Sequence, residues 1–306
     1  MPDLTIAWSP SSFAAADDAP VRPLESLGIT VRPNPFGRRL TEDEAVAHVE
    51  GVDGLIAGLE PLTRRVLESE GRLKAIARVG IGVDNVDFDA AADRDITVSN
   101  TPEAPTAAVA ELTVAAALSL VRELGPANQD MHAGTWKKRL ASGLRGTTVL
   151  LVGYGRIGRA VAEMLAPFGP RLLAADPALE SSDGLVEPVG LDVGLAAADV
   201  ISLHAGGRHT ILSASQFALV RDGAVLLNSA RAELVDQDAL VAALDSGRIA
   251  KAWFDVFWAE PYEGPLTGYE QMLLTPHIGT YTGACRREME MQATENLLRD
   301  LGVDLP

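Results

Sequence analysis

At 306 residues the chain is too long for one ordinary hydrophobic core, so two domains is the natural division. With 47% hydrophobic residues it reads as a packed globular protein rather than a disordered one, and its single cysteine excludes an internal disulfide framework and suits a reducing compartment. A net charge of −16 argues against nucleic acid or an anionic membrane surface as a partner, although a few local cations and amides suffice to bind a small anion.

The opening MPDLTIAWSP has no basic segment and no long apolar core, so no signal peptide is expected. The most apolar stretch, Leu112 to Val121, is far short of a bilayer span, and a soluble, cytoplasmic protein is expected. Short apolar runs then alternate with helix-like segments, the pattern of βα units around parallel sheets. Strands are predicted at Leu4 to Trp8, Ile29 to Arg32, Gly54 to Ala57, Leu73 to Ala77 and Ile96 to Ser99. Thr41-Glu42-Asp43-Glu44 has capping-box spacing and opens a predicted helix through Val49. Thr101-Pro102-Glu103-Ala104-Pro105 breaks the rhythm as a linker. An apolar helix is predicted from about Ala107 to Leu124, followed by a polar segment containing Trp136. A second βα series starts at Thr148 and runs past His277.

Val149-Leu150-Leu151-Val152 has the character of a buried strand and leads into Gly153-Tyr154-Gly155-Arg156-Ile157-Gly158, with an amphipathic helix over Arg159 to Leu165. In a dinucleotide-binding turn the first glycine permits the bend, the second lets a pyrophosphate approach the backbone, and the third lets helix and strand pack closely. The amides and dipole of the helix start then hold the diphosphate. A second strand, Arg171 to Ala175, ends at Asp176, about 20 residues on, where a carboxylate binds the ribose hydroxyls and repels the 2′-phosphate of NADP. Arg156 lies inside the turn, nearer the pyrophosphate. The alternative is a structural turn beside a surface aspartate. NAD is the expected cofactor, and no metal site is expected.

Three further strands end in polar residues. Val225 to Asn228 runs into Ser229-Ala230-Arg231. Ala252-Trp253-Phe254 runs into Asp255-Val256-Phe257-Trp258-Ala259-Glu260, and Met272 to Leu274 into Thr275-Pro276-His277. Ligands of open parallel sheets bind beyond the carboxyl ends of the strands, so Arg231, Glu260 and His277 are expected to converge there. Reduction of a 2-keto acid needs a cation to grip the carboxylate and polarise the ketone, a proton donor for the developing alkoxide, and a carboxylate that orients that donor. Arginine, histidine and glutamate supply these parts. Taken singly, each has a plain alternative: a surface arginine, a helix-capping glutamate, a core histidine.

At this point the sequence resembles the D-isomer-specific 2-hydroxyacid dehydrogenases, the family that includes phosphoglycerate, glyoxylate/hydroxypyruvate and D-lactate dehydrogenases. The resemblance runs from about Gly54 to Thr280. It rests on RVGIGVDNVD at 78–87, NTP at 100–102, AVAELT at 108–113, GYGRIG at 153–158, ADP at 175–177, NSAR at 228–231, DVFWAEP at 255–261 and TPHIG at 275–279. It implies an α/β fold of two flavodoxin/Rossmann-like doubly wound parallel-sheet domains with an interdomain cleft. The substrate-binding domain would span 1–100 plus 283–306, and the NAD-binding domain 101–282. It implies that Arg231, Glu260 and His277 are catalytic. The backbone at Val79 and Gly80, with Arg231, would hold the substrate. Ile81, Thr106, Arg156, Ile157, Asp176, Ser229 and Asp255 would contact NAD, with Gly153, Gly155 and Gly158. A homodimer through the coenzyme domains is also implied, with the apolar helix at the interface or buried.

Three departures from the family pattern stand out. The segment His204 to Thr210 is shorter and lacks a proline, Ala232 replaces a glycine, and Trp253 and Phe254 stand where small residues are usual. Two other readings stand beside this one: an NAD-sensing co-repressor, which would keep the same triad, and a formate dehydrogenase of the same superfold, whose chemistry needs no proton donor and against which the Glu260–His277 pairing argues. Phosphoglycerate dehydrogenases often carry an arginine in the loop after the strand at Gly54 to Ala57. Here that loop reads Gly58-Leu59-Glu60-Pro61-Leu62-Thr63, with Arg64 and Arg65 expected on the surface of the next helix and Arg78 as a possible cation from the other side. Compact keto acids such as glyoxylate or hydroxypyruvate are therefore favoured over 3-phosphoglycerate.

Overall fold

The computed structural model describes residues 4–69 and 71–304. They fall into two compact units, one comprising the residues up to Pro105 and those from Thr280 onward, the other Thr106–Gly279. The division lies at 105/106 and 279/280, against the expected 100/101 and 282/283: the linker 101–105 stays with the first unit, and the final segment rejoins it a little earlier.

The first unit holds β1 (Thr5–Trp8), β2 (Thr30–Arg32), β3 (Gly54–Ala57), β4 (Ala75–Arg78) and β5 (Thr97–Asn100). They form one sheet in the order β2-β1-β3-β4-β5, and every pairing is parallel. Central β3 is buried at all four positions, as expected of a strand covered on both faces. The helix Gly283–Asp300 packs on this sheet and buries Met289, Ala293, Leu297 and Leu298. Gly54 permits the approach, since a Cβ there would stand 3.0 Å from the Leu301 side chain and 3.2 Å from that of Leu297. The predicted capping box is present at the helix Glu42–His48: Thr41 N–H donates to Glu44 Oε2 at 2.9 Å, and Glu44 N–H to Thr41 Oγ1 at 3.4 Å.

The second unit holds β6 (Thr148–Val152), β7 (Arg171–Ala175), β8 (Glu187–Pro188), β9 (Val200–Leu203), β10 (Ala224–Asn228), β11 (Ile249–Phe254) and β12 (Met272–Leu274). Their order is β12-β11-β10-β9-β6-β7-β8, again all parallel. Chain order reverses at β6, so the switch point lies between β6 and β9, where such sheets take ligands. Each face has its own core. Phe254 packs on one side with Leu150, Leu203 and Leu226. Trp253 packs on the other with Leu151, Leu227 and the alanines of the helix Pro105–Val121. A small-residue helix face leaves room for the fully buried indole.

The apolar helix predicted to reach Leu124 stops at Val121, and a second helix, Leu124–His132, comes after it. The break has two causes, one of them distant in sequence. Glu123 adopts φ 54°, in the left-handed region that an α-helix cannot continue through. Lys251 Nζ donates to the Leu120 carbonyl at 3.1 Å and pairs with Glu123 Oε1 at 2.6 Å, satisfying the helix end. The helix after the glycine turn starts at Arg156 rather than Arg159, so the turn runs straight into it. Among the described residues no helix is long and apolar enough to cross a membrane.

Candidate active site

β6 ends at Val152 and the chain bends at Gly153, with φ 93°. A Cβ on Gly153 would lie 2.5 Å from the Ala205 nitrogen, and one on Gly158 would lie 2.4 Å from the Gly153 carbonyl oxygen. Both positions therefore require glycine for the close approach of protein backbone. Gly155 differs: nothing lies within 4 Å of where its Cβ would stand, and it caps the helix Arg156–Leu165. That open space at a helix N-terminus is where a diphosphate fits.

Asp176, at the end of β7, is oriented by two amides. Tyr154 N–H donates to Oδ2 at 2.6 Å and Ala178 N–H to Oδ1 at 2.8 Å. The turn is braced from behind by the buried Tyr154 ring, whose hydroxyl donates to Asp183 Oδ2 at 2.8 Å while Arg159 lies over the ring at 4.6 Å. Burial, then the Asp183 carboxylate, pushes the Tyr154 hydroxyl up to about 12. Amides of Leu185 and Val186, with that hydroxyl, hold Asp183 below the usual carboxylate range. Arg156 is exposed and Ile157 half-buried at the head of the helix. The Thr106 hydroxyl is buried with no hydrogen-bond partner among the described residues, as expected of a group reserved for a ligand. Ser229 Oγ lies 3.3 Å from Thr113 Oγ1. An open cradle at Gly155 and an orphaned hydroxyl at Thr106 fit a dinucleotide.

The departing segment after β9 begins against this turn. His204 N–H donates to the Val152 carbonyl at 2.7 Å, and its Nε2 lies 2.8 Å from Ser202 Oγ. Burial lowers the His204 ring to about 4, so it is neutral at working pH.

Arg231 follows β10, Glu260 follows β11 and His277 follows β12, at the carboxyl ends of three adjacent parallel strands. His277 Nδ1 lies 2.9 Å from Glu260 Oε2 and 3.1 Å from Oε1. Glu260 is itself steadied by Phe257 N–H, 3.2 Å from Oε1. With Nδ1 turned to the carboxylate, Nε2 is the nitrogen left for a substrate. Arg231 Nη1 donates to the Ala230 carbonyl at 2.7 Å. Ala232, where glycine is usual, is buried and opens the short turn Ala232–Leu234.

Asp255, expected to contact the coenzyme, is buried, and both its oxygens accept from the segment that carries His277. Oδ1 accepts from the Thr275 hydroxyl at 2.6 Å and Ile278 N–H at 2.8 Å, and Oδ2 from Gly279 N–H at 2.8 Å. Burial raises its carboxyl above the usual range against these three donors. Sequence reasoning passed over Asn228, which is fully buried: its Nδ2 donates to the Arg231 carbonyl at 2.9 Å, and its Oδ1 accepts from Ala230 N–H at 3.0 Å. An amide ending the apolar run Val225-Leu226-Leu227 is the signal, because a side chain buried there must pair with the turn beyond it.

In the first unit, Val79 and Gly80 follow β4. Val79 N–H donates to the Ala57 carbonyl at 2.9 Å and Gly80 N–H to Thr101 Oγ1 at 2.7 Å. Gly80 has φ 132°, and Arg78 folds back so that Nη1 donates to the Val79 carbonyl. Ile81, partly exposed, accepts from Asn100 Nδ2 at 2.7 Å. Glu60, which stands where a phosphate-binding cation would be wanted, is turned into the interior of its own unit. It is 1% exposed, Gly58 N–H lies 3.0 and 3.1 Å from its two oxygens, and burial raises its carboxyl. Arg64 and Arg65 sit on the helix Arg64–Glu68, where Arg64 pairs with Glu68 and Asp93, and Arg65 with Glu42 and Asp43. No cluster of metal-binding side chains occurs among the described residues.

Residues 114–279 match the model of the D-isomer specific 2-hydroxyacid dehydrogenase NAD binding domain. The chain belongs to the D-isomer-specific 2-hydroxyacid dehydrogenases. It is 34% identical over 275 residues to a hydroxypyruvate reductase of Thermotoga maritima, covering 86% of this chain and 90% of that one. It is 33% identical to a glyoxylate reductase of Thermococcus litoralis, covering 84% and 83% of the two. A D-3-phosphoglycerate dehydrogenase of Methanocaldococcus jannaschii is 32% identical over 87% of this chain, which spans only 53% of that relative. Among solved structures, the TT0316 protein of Thermus thermophilus superposes with a TM-score of 0.89 at 34% identity, covering 99% of both chains. An NAD-dependent formate dehydrogenase of Staphylococcus aureus, solved with NAD, superposes at 0.86 with 25% identity, covering 97% of this chain and 95% of that one. The chain is thus an enzyme, an NAD-dependent oxidoreductase of 2-hydroxy acids.

Proposed function

We propose that this dehydrogenase interconverts a compact 2-keto acid of the glyoxylate or hydroxypyruvate class and its D-2-hydroxy acid. The observation that carries the chemistry is the His277 Nδ1–Glu260 contact of 2.9 Å, at the same sheet edge that delivers Arg231. When bound, the nicotinamide supplies the hydride that C2 of the keto acid accepts. Arg231 grips the carboxylate and polarises the ketone with its planar fork. His277 gives a proton from Nε2 to the developing alkoxide, and Glu260 holds the ring from Nδ1. The turn at Val79 and Gly80 receives the substrate carboxylate. Its first two amides are engaged, so the donors fall to Ile81 and Gly82, which have no hydrogen-bond acceptor among the described residues. Asp176 recognises the ribose, and Arg156, Ile157 and Ser229 line the coenzyme.

The compact substrate is favoured on a different ground from the one expected. Glu60 is buried against Gly58 and repels nothing at the surface of its loop. Instead, the cations that could serve a phosphate are turned elsewhere: Arg64 and Arg65 into surface ion pairs, Arg78 onto its own turn. The test is kcat/KM for glyoxylate and hydroxypyruvate with NADH, set beside oxidation of 3-phosphoglycerate and D-glycerate. A large advantage for the phosphorylated acid would overturn the substrate. Turnover of formate with no keto-acid activity would overturn the chemistry.

We also propose a cytosolic homodimer. The helix Pro105–Val121 buries Ala110, Ala116, Ala117 and Leu120 in the core of its own unit, so the interface falls to the segment after it. Leu124, Met131, Trp136 and Leu140 are 56, 55, 79 and 102% exposed, more apolar surface than one short segment normally leaves in water. Sedimentation of the wild type should give a dimer and of Trp136→Ser/Leu140→Ser a monomer; a monomeric wild type at micromolar concentration would refute it.

A further inference from the structure

His277 has φ 54°, a left-handed backbone that is uncommon for a residue with a Cβ and is held here by its surroundings. One buried carboxylate, Asp255, fastens the segment on both sides of His277, through Thr275 before it and through the amides of Ile278 and Gly279 after it. Behind Thr275 stands Trp253, two residues before Asp255 and so on the same side of the chain. Its Nε1 donates to Thr275 Oγ1 at 2.9 Å.

The direction of these bonds matters. An indole N–H can only donate, and a hydroxyl carries a single hydrogen. With the Trp253 Nε1–H donating to Oγ1, the Thr275 hydrogen is turned toward Asp255 Oδ1. Asp255 then receives three donors, which is what a carboxylate 1% exposed needs to remain an acceptor.

We propose that Trp253 is a positioning residue for the proton donor: through Thr275 and Asp255 it sets the backbone, and hence the ring, of His277. The inference rests on the reading of His277 as proton donor, but its physical content, a clamp, is separable from that reading. A tryptophan that merely fills the core would support the fold without governing the ring.

The test uses the full chain with NADH bound and glyoxylate as probe. Trp253→Phe keeps an aromatic ring and removes the donor, Thr275→Val keeps the shape and removes the relay, and Thr275→Ser restores the hydroxyl. The single-turnover reduction rate should fall on the order of tenfold in Trp253→Phe and in Thr275→Val, as for a misplaced catalytic group. NADH affinity should stay within about twofold and Thr275→Ser should retain most of the rate. Because the two act in series, the double variant Trp253→Phe/Thr275→Val should be no slower than the worse single one. Independently, the His277 imidazole resonance, identified among the five histidines by its loss in His277→Ala, should move in both single variants. A Trp253→Phe enzyme with reduced thermal stability but unchanged rate and unchanged His277 resonance overturns the proposal, as do losses that multiply in the double variant. If His277→Ala keeps the rate, the proton-donor reading fails, and the resonance alone decides the clamp: moved in Trp253→Phe it stands, unmoved it falls.

Discussion

At the scale of the residue, the proposed function divides the second unit's side chains into those that would face a ligand and those that hold them. Glu260 and Asn228 belong to the second kind: one turns the His277 ring by Nδ1, the other closes the turn before Arg231 by its amide. The ligand-facing residues should therefore be intolerant of conservative change. Arg231→Lys should be nearly as damaging as Arg231→Ala, because a point charge cannot reproduce two parallel N–H donors to a carboxylate. His277→Ala should lose on the order of 10²–10⁴ in kcat, the usual worth of a positioned proton donor. Steady-state kinetics of keto-acid reduction with NADH check both. A lysine variant with most of its activity would place the carboxylate grip elsewhere.

At the scale of the element, what was legible in the sequence is what has a short-range cause. The capping box at Thr41 and Glu44, the strand Arg171–Ala175 and the glycine turn all arise from patterns a few residues long, and each appears where those patterns place it. The end of the helix Pro105–Val121 did not, because it is set by Lys251, a residue far away in sequence that caps Leu120. The hydrogen-bond partners of Asp255 and Glu60 were not legible for the same reason: a motif tells that a carboxylate is present, but only the fold tells which amides reach it. The glycine turn allows a sharper test, since its glycines serve different neighbours. Gly155→Ala projects a methyl into space empty of protein, so thermal stability should hold while NADH binding weakens by about tenfold or more. Gly158→Ala drives a methyl to 2.4 Å from the Gly153 carbonyl, so it should lose binding and roughly 1–3 kcal/mol of stability together. Calorimetry with and without NADH separates the two. Equal destabilisation by both variants would mean that the second glycine also serves packing.

At the scale of the whole molecule, the response to acid is a contest between buried groups of opposite sign. The carboxyls of Glu60, Asp255 and Glu290 are raised by burial, so protonation as the pH falls relieves a cost of the folded state. The excess of negative charge, −16 at pH 7, is relieved as well. Against these stand His48 and His204, whose rings burial holds below their ordinary value. A histidine lowered in the folded state contributes stability that is present above its unfolded value of 6.5 and is lost as the pH falls through its folded value, about 4 for His204. The absolute acid profile is therefore a sum of cancelling parts, but a difference isolates one of them. His204→Gln can keep a hydrogen bond to Ser202 and cannot be charged. Its stability deficit relative to wild type should be constant above pH 7 and should shrink on the order of 1–2 kcal/mol between pH 6.5 and 4.5, allowing for solvent at the open edge of the ring. Denaturant titrations of both proteins across that range, on the apo form, give the comparison directly. A gap that stays constant would mean that His204 is protonated as readily in the folded chain as in the unfolded one, and that the ring under the glycine turn is wetter than its burial implies.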